Sequence, residues 1–365
     1  MSANVGIQNG NRVEAVIDLA ALQHNVRRLV ERIAPSEVML AVKANAYGHG
    51  LVEIARAGID AGATSLAVLE ASTGVALRDA GITVPMLAWL HDRETDFRSA
   101  IEADVELGIS SSWQITSIEN SEADRPAVIH LKVDTGLSRN GATPEEWPSL
   151  VRTALSAQEA GHLRIRGAWS HLADASVEDD EAALALFREA VTEAEGLGAN
   201  FEVLHLAASS AGWRMPEARF DFVRFGIAAY GISPFDDSSG AELGLLPVMS
   251  LMARTIEVNV GETRLVRVAA GFADGVPTIG IPHARVLLNG ELRPVVEVEV
   301  DSTLVEPGTS QTRVGDVAIF FGSGALGEPT AEQWADWSKT IADEIVTGIG
   351  SRVPRVFLPG GPSAQ

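Results

Sequence analysis

Between about residues 13 and 235 the chain alternates short runs of aliphatic and β-branched residues with longer amphipathic stretches. VEAVID ends at Asp18, a residue type that caps helices, and Leu19, Leu22, Val26, Leu29, Val30 and Ile33 then fall on one helical stripe. VMLAVKAN (38–45) reads as a strand and LVEIARAGIDAG, from residue 51, as a helix. SLAVL (65–69), VPMLAWL (84–90), AVIHLKVD (127–134), LRIRGAWSHLA (163–173) and FEVLHLAAS (201–209) read as further strands. Leu184, Phe187, Val191 and Ala194 mark a helix between the last two. Repeated strand–helix units imply a parallel sheet, and about eight of them favour a (β/α)8 barrel over an open doubly wound sheet. No G-x-G-x-x-G follows any of these strands, which argues against a dinucleotide site.

From about residue 245 the texture changes. TRLVRVAA, ARVLLNGELRPVVEVEV and RVGDVAIFFG read as strands joined by tight turns, with Asn289-Gly290 as a hairpin signal. TAEQWADWSKTIADEI reads as one helix, opened by a Thr330/Gln333 capping box. The expected organisation is α/β plus β: an N-terminal (β/α)8 barrel over 13–240, then a mostly β C-terminal domain over 241–358, with the strand near 13–18 available to join it. PGGPSAQ (359–365) reads as a disordered tail.

Composition narrows the function. The net charge of -21 argues against a nucleic-acid or anionic-membrane partner. The absence of cysteine excludes disulfides, thiolate nucleophiles and cysteine-based metal sites. MSANVGIQNGNRVEA contains no apolar core of a signal peptide, and no run is long and apolar enough to span a bilayer, so a cytoplasmic protein is expected.

In a parallel barrel the C-terminal strand ends surround the active site. Polar residues stand at such places here: Lys43 after VMLAV, Lys132 and Asp134 at the end of AVIHL with Arg139 in the following turn, His171 after IRGAWS, Ser209 and Ser210 after VLHLAA, and Arg224 in FDFVRFG. Each alone has a plain structural reading, since lysines border cores, buried histidines are satisfied locally, arginines form ion pairs and tyrosines pack. Five such positions in strand order, beside small residues and turns, are better explained by one site.

AVKANAYGHG, LKVDTGLSRNG, WSHLADAS, HLAASSAG, VRFGIAAYG and SRVPRVF resemble, in order, the motifs of the alanine racemase family. The resemblance implies a (β/α)8 barrel followed by a β domain, pyridoxal 5'-phosphate (PLP) as cofactor, a small amino-acid substrate and a homodimer that shares its active sites. It implies that Lys43 is the Schiff-base lysine and moves the proton at Cα on one face. It also implies that Tyr47, Ser209 and the amides of Gly226 and Ile227 hold the phosphate, that His171 packs on the cofactor ring, and that Arg224 meets the pyridine nitrogen. Arg139 is implied to meet the substrate carboxylate or the phenolic oxygen. Lys132 matches a lysine that is carbamylated in some relatives and orients that arginine, and Asp301 matches half of a methionine–aspartate pair. No metal is implied.

The pattern departs from the family on the other face of the substrate. There the family uses a tyrosine from the partner's β domain, in a segment ahead of the motif that reads GFADG here. In LMARTIEVNVGETRLVRVAAGFADG that segment is missing. The chain holds two tyrosines, Tyr47 and Tyr230, and none after residue 230. Phe272, Ser351 and Val300 stand where the family has tyrosine, tyrosine and methionine. His283, Asp274, Asp301 and water are the remaining candidates for the second base. The expectation is a racemase with impaired or altered turnover. The alternatives are a PLP-dependent lyase or aldolase working from one face, or an inactive PLP-binding paralogue. A metal-assisted aldolase is disfavoured with His283 as the one histidine of that region, and a basic-amino-acid decarboxylase by the lack of cysteine.

Overall fold

The computed structural model describes residue 7, residues 10–262 and residues 264–360. Residues 361–365 of the expected tail lie outside the described residues. The chain folds as two compact units. One comprises the described residues up to Asn25, Ala44–Ala57 and those from Ile227 on; the other comprises Val26–Lys43 and Gly58–Gly226.

The strand β1 (Val13–Asp18) opens the first unit, and the second unit carries β2 (Glu37–Ala41), β3 (Ser65–Val68), β4 (Met86–Ala88), β5 (Glu106–Ile109), β6 (Ala127–Lys132), β7 (Leu163–Trp169), β8 (Val203–His205) and β9 (Phe222–Phe225). β2 to β9 form one parallel sheet in the order β8-β7-β6-β5-β4-β3-β2-β9. Asp221 N–H donates to Leu204 O at 3.0 Å and Arg224 N–H to Ala207 O at 3.1 Å, which closes the sheet into a barrel. The strands are aliphatic throughout because residues on both faces are covered: β3 and β4 are buried at every position. Helices alternate with them. The long helix Val177–Gly196 starts at Ser176, whose side chain accepts from Asp179 N–H, and buries Leu184, Phe187, Val191 and Ala194.

The first unit is built on an antiparallel sheet that continues with β10 (Met249–Val260), β11 (Leu265–Val268), β12 (Arg285–Leu288), β13 (Glu291–Val298), β14 (Thr303–Val305), β15 (Val317–Phe321) and β16 (Arg355–Leu358). The order is β11-β14-β13-β12-β15-β10-β1-β16, and β11 also pairs with β10, so six of the strands close a ring. β1 enters this sheet between β10, antiparallel, and β16, parallel. Asn289 and Gly290 adopt φ of 53° and 78°, the two left-handed residues of a type I′ hairpin between β12 and β13.

Several elements differ from the sequence reading: the strand read over 201–209 spans only Val203–His205, and Phe222–Phe225 was not read as a strand. β2 stops at Ala41 rather than running to residue 45, because a left-handed turn begins at Ala44. The strand Glu106–Ile109, short and with a glycine inside it, carried no clear signal. TAEQWADWSKTIADEI is two helices, Ala331–Ser338 and Ala342–Thr347, separated at Lys339 with φ 55°. The capping box at Thr330 and Gln333 is formed.

Candidate active site

Lys43 is half-buried two residues beyond the end of β2. Ala44, Asn45, Ala46 and Tyr47 follow it with φ of 51°, 55°, 55° and 52°. Four L-residues in left-handed geometry cost roughly 1–2 kcal/mol each, so the turn persists only because its surroundings fix it. Gly48 N–H donates to Ala44 O at 2.9 Å and Gly50 N–H to Asn45 O at 3.0 Å. The Asn45 side chain accepts from Leu51 N–H at 2.9 Å and so starts the next helix. His49 is fully buried, and its Nδ1 lies 3.0 Å from Ala46 O and 2.9 Å from Tyr47 O. Arg355 Nε donates to Gly48 O at 2.8 Å. No side chain fits at Gly48: its φ is +80° and a Cβ would stand 2.8 Å from Val346 O.

Within the barrel unit the strand ends bring Lys132, His171 and Arg224 together. Arg224 donates from Nη1 to His205 Nδ1 at 2.9 Å, and from Nη2 to Ser170 O at 2.8 Å, Leu206 O at 2.8 Å and His171 Nδ1 at 3.0 Å. Its Nε–H has no hydrogen-bond partner among the described residues. Burial lowers Arg224 to about 9, which leaves it a cation at neutral pH. Lys132 is buried, with Nζ 4.4 Å from the centre of the Trp169 ring. Burial first, then the charges of Arg224 and Arg139, bring it down to about 7, against a smaller upward pull from Asp134. His171 is held well below its ordinary value by burial and then by Arg224, Arg139, Lys132 and Lys43, so it is a neutral imidazole at neutral pH. Arg139 itself is exposed. Its turn is fixed by Asp134, whose Oδ1 accepts from Gly136 N–H at 3.1 Å and Ser138 N–H at 3.0 Å. Ser209 opens the helix Ser209–Arg214, and its Oγ accepts from Gly226 N–H at 3.2 Å.

The other unit places the remaining residues. Tyr47 packs on Tyr230 with ring centres 4.9 Å apart, and both phenols are pushed upward, chiefly by burial. Ile227 begins a short 3-10 turn and is buried. Asp274 is buried and engaged: one oxygen accepts from Gly271 N–H at 2.9 Å and the other pairs with Arg352 at 3.0 Å. That arrangement caps the GFADG turn and does not present a base. His283 is exposed in a turn, with its N–H bonded to Gly280 O at 2.9 Å. Asp301 and Ser351 are exposed.

Four residues joined to this site were not singled out from sequence: Trp169, His205, His130 and Glu106. The Trp169 ring stacks on His205 at 5.5 Å and lies under both Lys132 and Arg224. The available signal was period-two spacing. His130 and Lys132 occupy alternate positions of one apolar strand and therefore share its face.

The sequence model of the alanine racemase N-terminal domain matches residues 17–234, and that of the alanine racemase C-terminal domain matches residues 254–357. The alanine racemase of Beutenbergia cavernae is 41% identical over 371 residues, covering 95% of this chain and 98% of that protein. The alanine racemase of Streptomyces coelicolor is 41% identical, covering 95% and 96%. Among solved structures, the alanine racemase of a D-cycloserine-producing Streptomyces lavendulae superimposes with a TM-score of 0.91 at 39% identity, covering 97% of this chain and 98% of that one.

Proposed function

The chain belongs to the alanine racemase family, and on that premise we propose that it interconverts the enantiomers of a small amino acid, alanine first, with PLP held on Lys43. The observation that carries this reading is Arg224, a buried cation whose other contacts leave its Nε–H for an acceptor. The donor set suits PLP. The Lys43 amine matches its aldehyde, Arg224 its pyridine nitrogen, and the Ser209 hydroxyl, whose oxygen accepts from Gly226 N–H, its phosphate; the family resemblance adds Tyr47 and the amides of Gly226 and Ile227 as phosphate residues. PLP bound there would withdraw electrons from the substrate and weaken its Cα–H bond.

The chain's residues then have distinct tasks. Lys43 holds the cofactor and, when its amine is released by substrate, takes or returns a proton on one face of Cα. Arg224 can only donate, so it keeps the pyridine nitrogen unprotonated and limits how much charge accumulates there. Neutral His171 packs against the ring without adding charge. Arg139 meets the substrate carboxylate, and Lys132 orients it.

The second face lacks its tyrosine. Both tyrosines of the chain are buried against each other, and Asp274 is committed to Arg352 and Gly271. Water, Asp301 or His283 is left to serve that face, which costs roughly 10²–10⁴-fold in rate relative to a positioned acid–base group. A homodimer is part of the proposal. Phe272 and Val300, 50% and 57% exposed, are brought side by side where Ala273 N–H bonds Val300 O, and they offer apolar surface to a second copy. No helix among the described residues is long and apolar enough to cross a membrane; the cytoplasm is the proposed compartment.

The sequence contains three lysines, Lys43, Lys132 and Lys339, so the covalent site can be found directly. Borohydride reduction of the PLP-loaded protein followed by peptide mapping should place the pyridoxyl mass on Lys43. Label on Lys132 or exposed Lys339, with none on Lys43, would overturn the assignment.

Lys132 carries a second expectation. Its folded value, about 7, lies below the ordinary 10.5. Between those values the unfolded chain binds the proton and the folded chain does not, so stability rises with pH. In carbonate-free buffer the wild type should gain about 1.4 kcal/mol per pH unit on the Lys132→Met variant between pH 7 and 10, read by urea unfolding. The amine, largely neutral near pH 7.5, is also free to add carbon dioxide, forming an N–C bond and releasing a proton. A carbamate signal with ¹³C-bicarbonate, absent from Lys132→Met, is the expected result.

A further inference from the structure

Arg224 is the end of a chain of hydrogen bonds that crosses the barrel interior. Its Nη1 donates to His205 Nδ1 at 2.9 Å. His205 Nε2 lies 2.9 Å from His130 Nδ1, and His130 Nε2 lies 2.9 Å from Glu106 Oε2. Glu106, the first residue of β5, also pairs with Arg166. This last pair lines a cleft at the strand starts, together with Asp104, Arg125, Arg164 and Glu202. The two histidines are fully buried.

The proton positions along this chain follow from its ends. An arginine only donates, so His205 Nδ1 must carry a lone pair. Burial, and next the charge of Arg224, keep His205 well below its ordinary value, so the ring is neutral with its proton on Nε2. That proton points to His130 Nδ1, which therefore accepts. His130 then holds its proton on Nε2, the position a carboxylate takes best. Every bond runs in the same direction, from a fixed cation to a fixed acceptor. Reversing one ring would set N–H against N–H at the next.

The backbone is shaped for this contact. A Cβ at Gly167 would lie 2.8 Å from His130 Nδ1 and 2.7 Å from Val203 O, so β7 is bare where the two rings meet. Glu106 is held below the ordinary carboxylate range: burial alone would raise it, but the His130 bond and the Arg166 charge outweigh that. It therefore stays an acceptor.

We propose that Glu106 and His130 are positioning residues for Arg224. The carboxylate at the strand starts fixes the tautomers of two buried histidines. It thereby keeps His205 Nδ1 an acceptor that anchors the guanidinium, with Nε–H left for the cofactor nitrogen. The part that concerns the cofactor rests on the PLP reading above; the tautomer order does not.

The test uses full-length protein labelled with ¹⁵N-histidine, which gives eight side chains to follow. His130→Asn and His205→Asn assign the two signals. Without PLP, the wild type and Glu106→Gln, which keeps an oxygen acceptor, should both show His130 and His205 protonated on Nε2 and bare on Nδ1. Glu106→Leu should lose that pattern at one ring or both and bind PLP about 10–100-fold more weakly, the scale on which loss of the partner behind a metal-bound histidine weakens metal affinity. Circular dichroism confirms that the variants fold, and should Glu106→Leu not fold, Glu106→Gln and the wild-type tautomers decide. Wild-type rings with Nδ1 protonated, or a folded Glu106→Leu with unchanged tautomers and PLP affinity, would overturn the proposal. A wild type that shows the tautomer order but binds no PLP would instead overturn the cofactor reading.

Discussion

The Lys43→Ala protein is expected to fold, to show no visible absorption from covalently held PLP, and to lose racemisation by at least about 10²–10⁴-fold, the range for removing a positioned proton-transfer group. Two functions disappear together in this variant. The aldehyde loses its amine partner, and one face of Cα loses its proton carrier. The fold should survive because Lys43 is half-buried and follows the strand rather than filling the barrel. Absorbance after dialysis against PLP and a chirality assay on alanine read the two losses separately. A variant that kept the absorption would remove Lys43 from the mechanism. One that lost the absorption but kept the rate would separate covalent attachment from proton transfer.

Gly48→Ala is expected to have the second-largest effect, and through structure. The added methyl meets a backbone oxygen, Val346 O at 2.8 Å, which cannot rotate away, and the position needs φ +80°. Left-handed strain and overpacking together should cost about 2–4 kcal/mol of stability. Gly48 also accepts the Arg355 bond and closes the left-handed turn through Ala44 O. Relief of the clash must move the turn that begins one residue after Lys43, so PLP affinity should fall with the denaturation midpoint. Gly50→Ala serves as a comparison. Gly50 shares the positive φ, +111°, but its Cβ meets the ring of Phe357, a side chain that can shift, so the comparison separates the fixed backbone clash at Gly48 from the strain common to both.

How much of this was legible in the sequence varies with the element. The barrel strands were readable because a parallel strand covered on both faces is a continuous aliphatic run, as in SLAV and VMLA. The hairpin at Asn289-Gly290 was readable because few other dipeptides accept two positive φ values. The turn after Lys43 was not. Ala44, Ala46 and Tyr47 have no preference for left-handed geometry; bonds from distant groups such as Arg355 impose it. Lys339 broke a helix that looked continuous for the same reason, since nothing in its type announces φ 55°.

Among the site residues, those at strand ends could be found from sequence because position in a barrel implies exposure to the mouth. Lys132, His171 and Arg224 do gather there. His130, His205 and Glu106 were hidden for a physical reason. Each lies in a different strand, separated by up to 99 residues, and only cross-barrel packing makes them neighbours. A single polar residue within an apolar strand gives no hint of its partner. The lack of any tyrosine after residue 230 was visible at once, because the whole chain has two.

The central claim is that Lys43 works on one face of the substrate with a weak group opposite. Proton NMR of the PLP-loaded protein in D2O, with L-alanine and D-alanine in separate tubes and chirality followed in parallel, tests it most directly. The account predicts that one enantiomer exchanges its α-proton for deuterium faster than it changes hand, by up to about 10²–10⁴-fold, with slow interconversion of both. Equal rates of exchange and interconversion from both enantiomers would contradict it, because a competent second base would then be present.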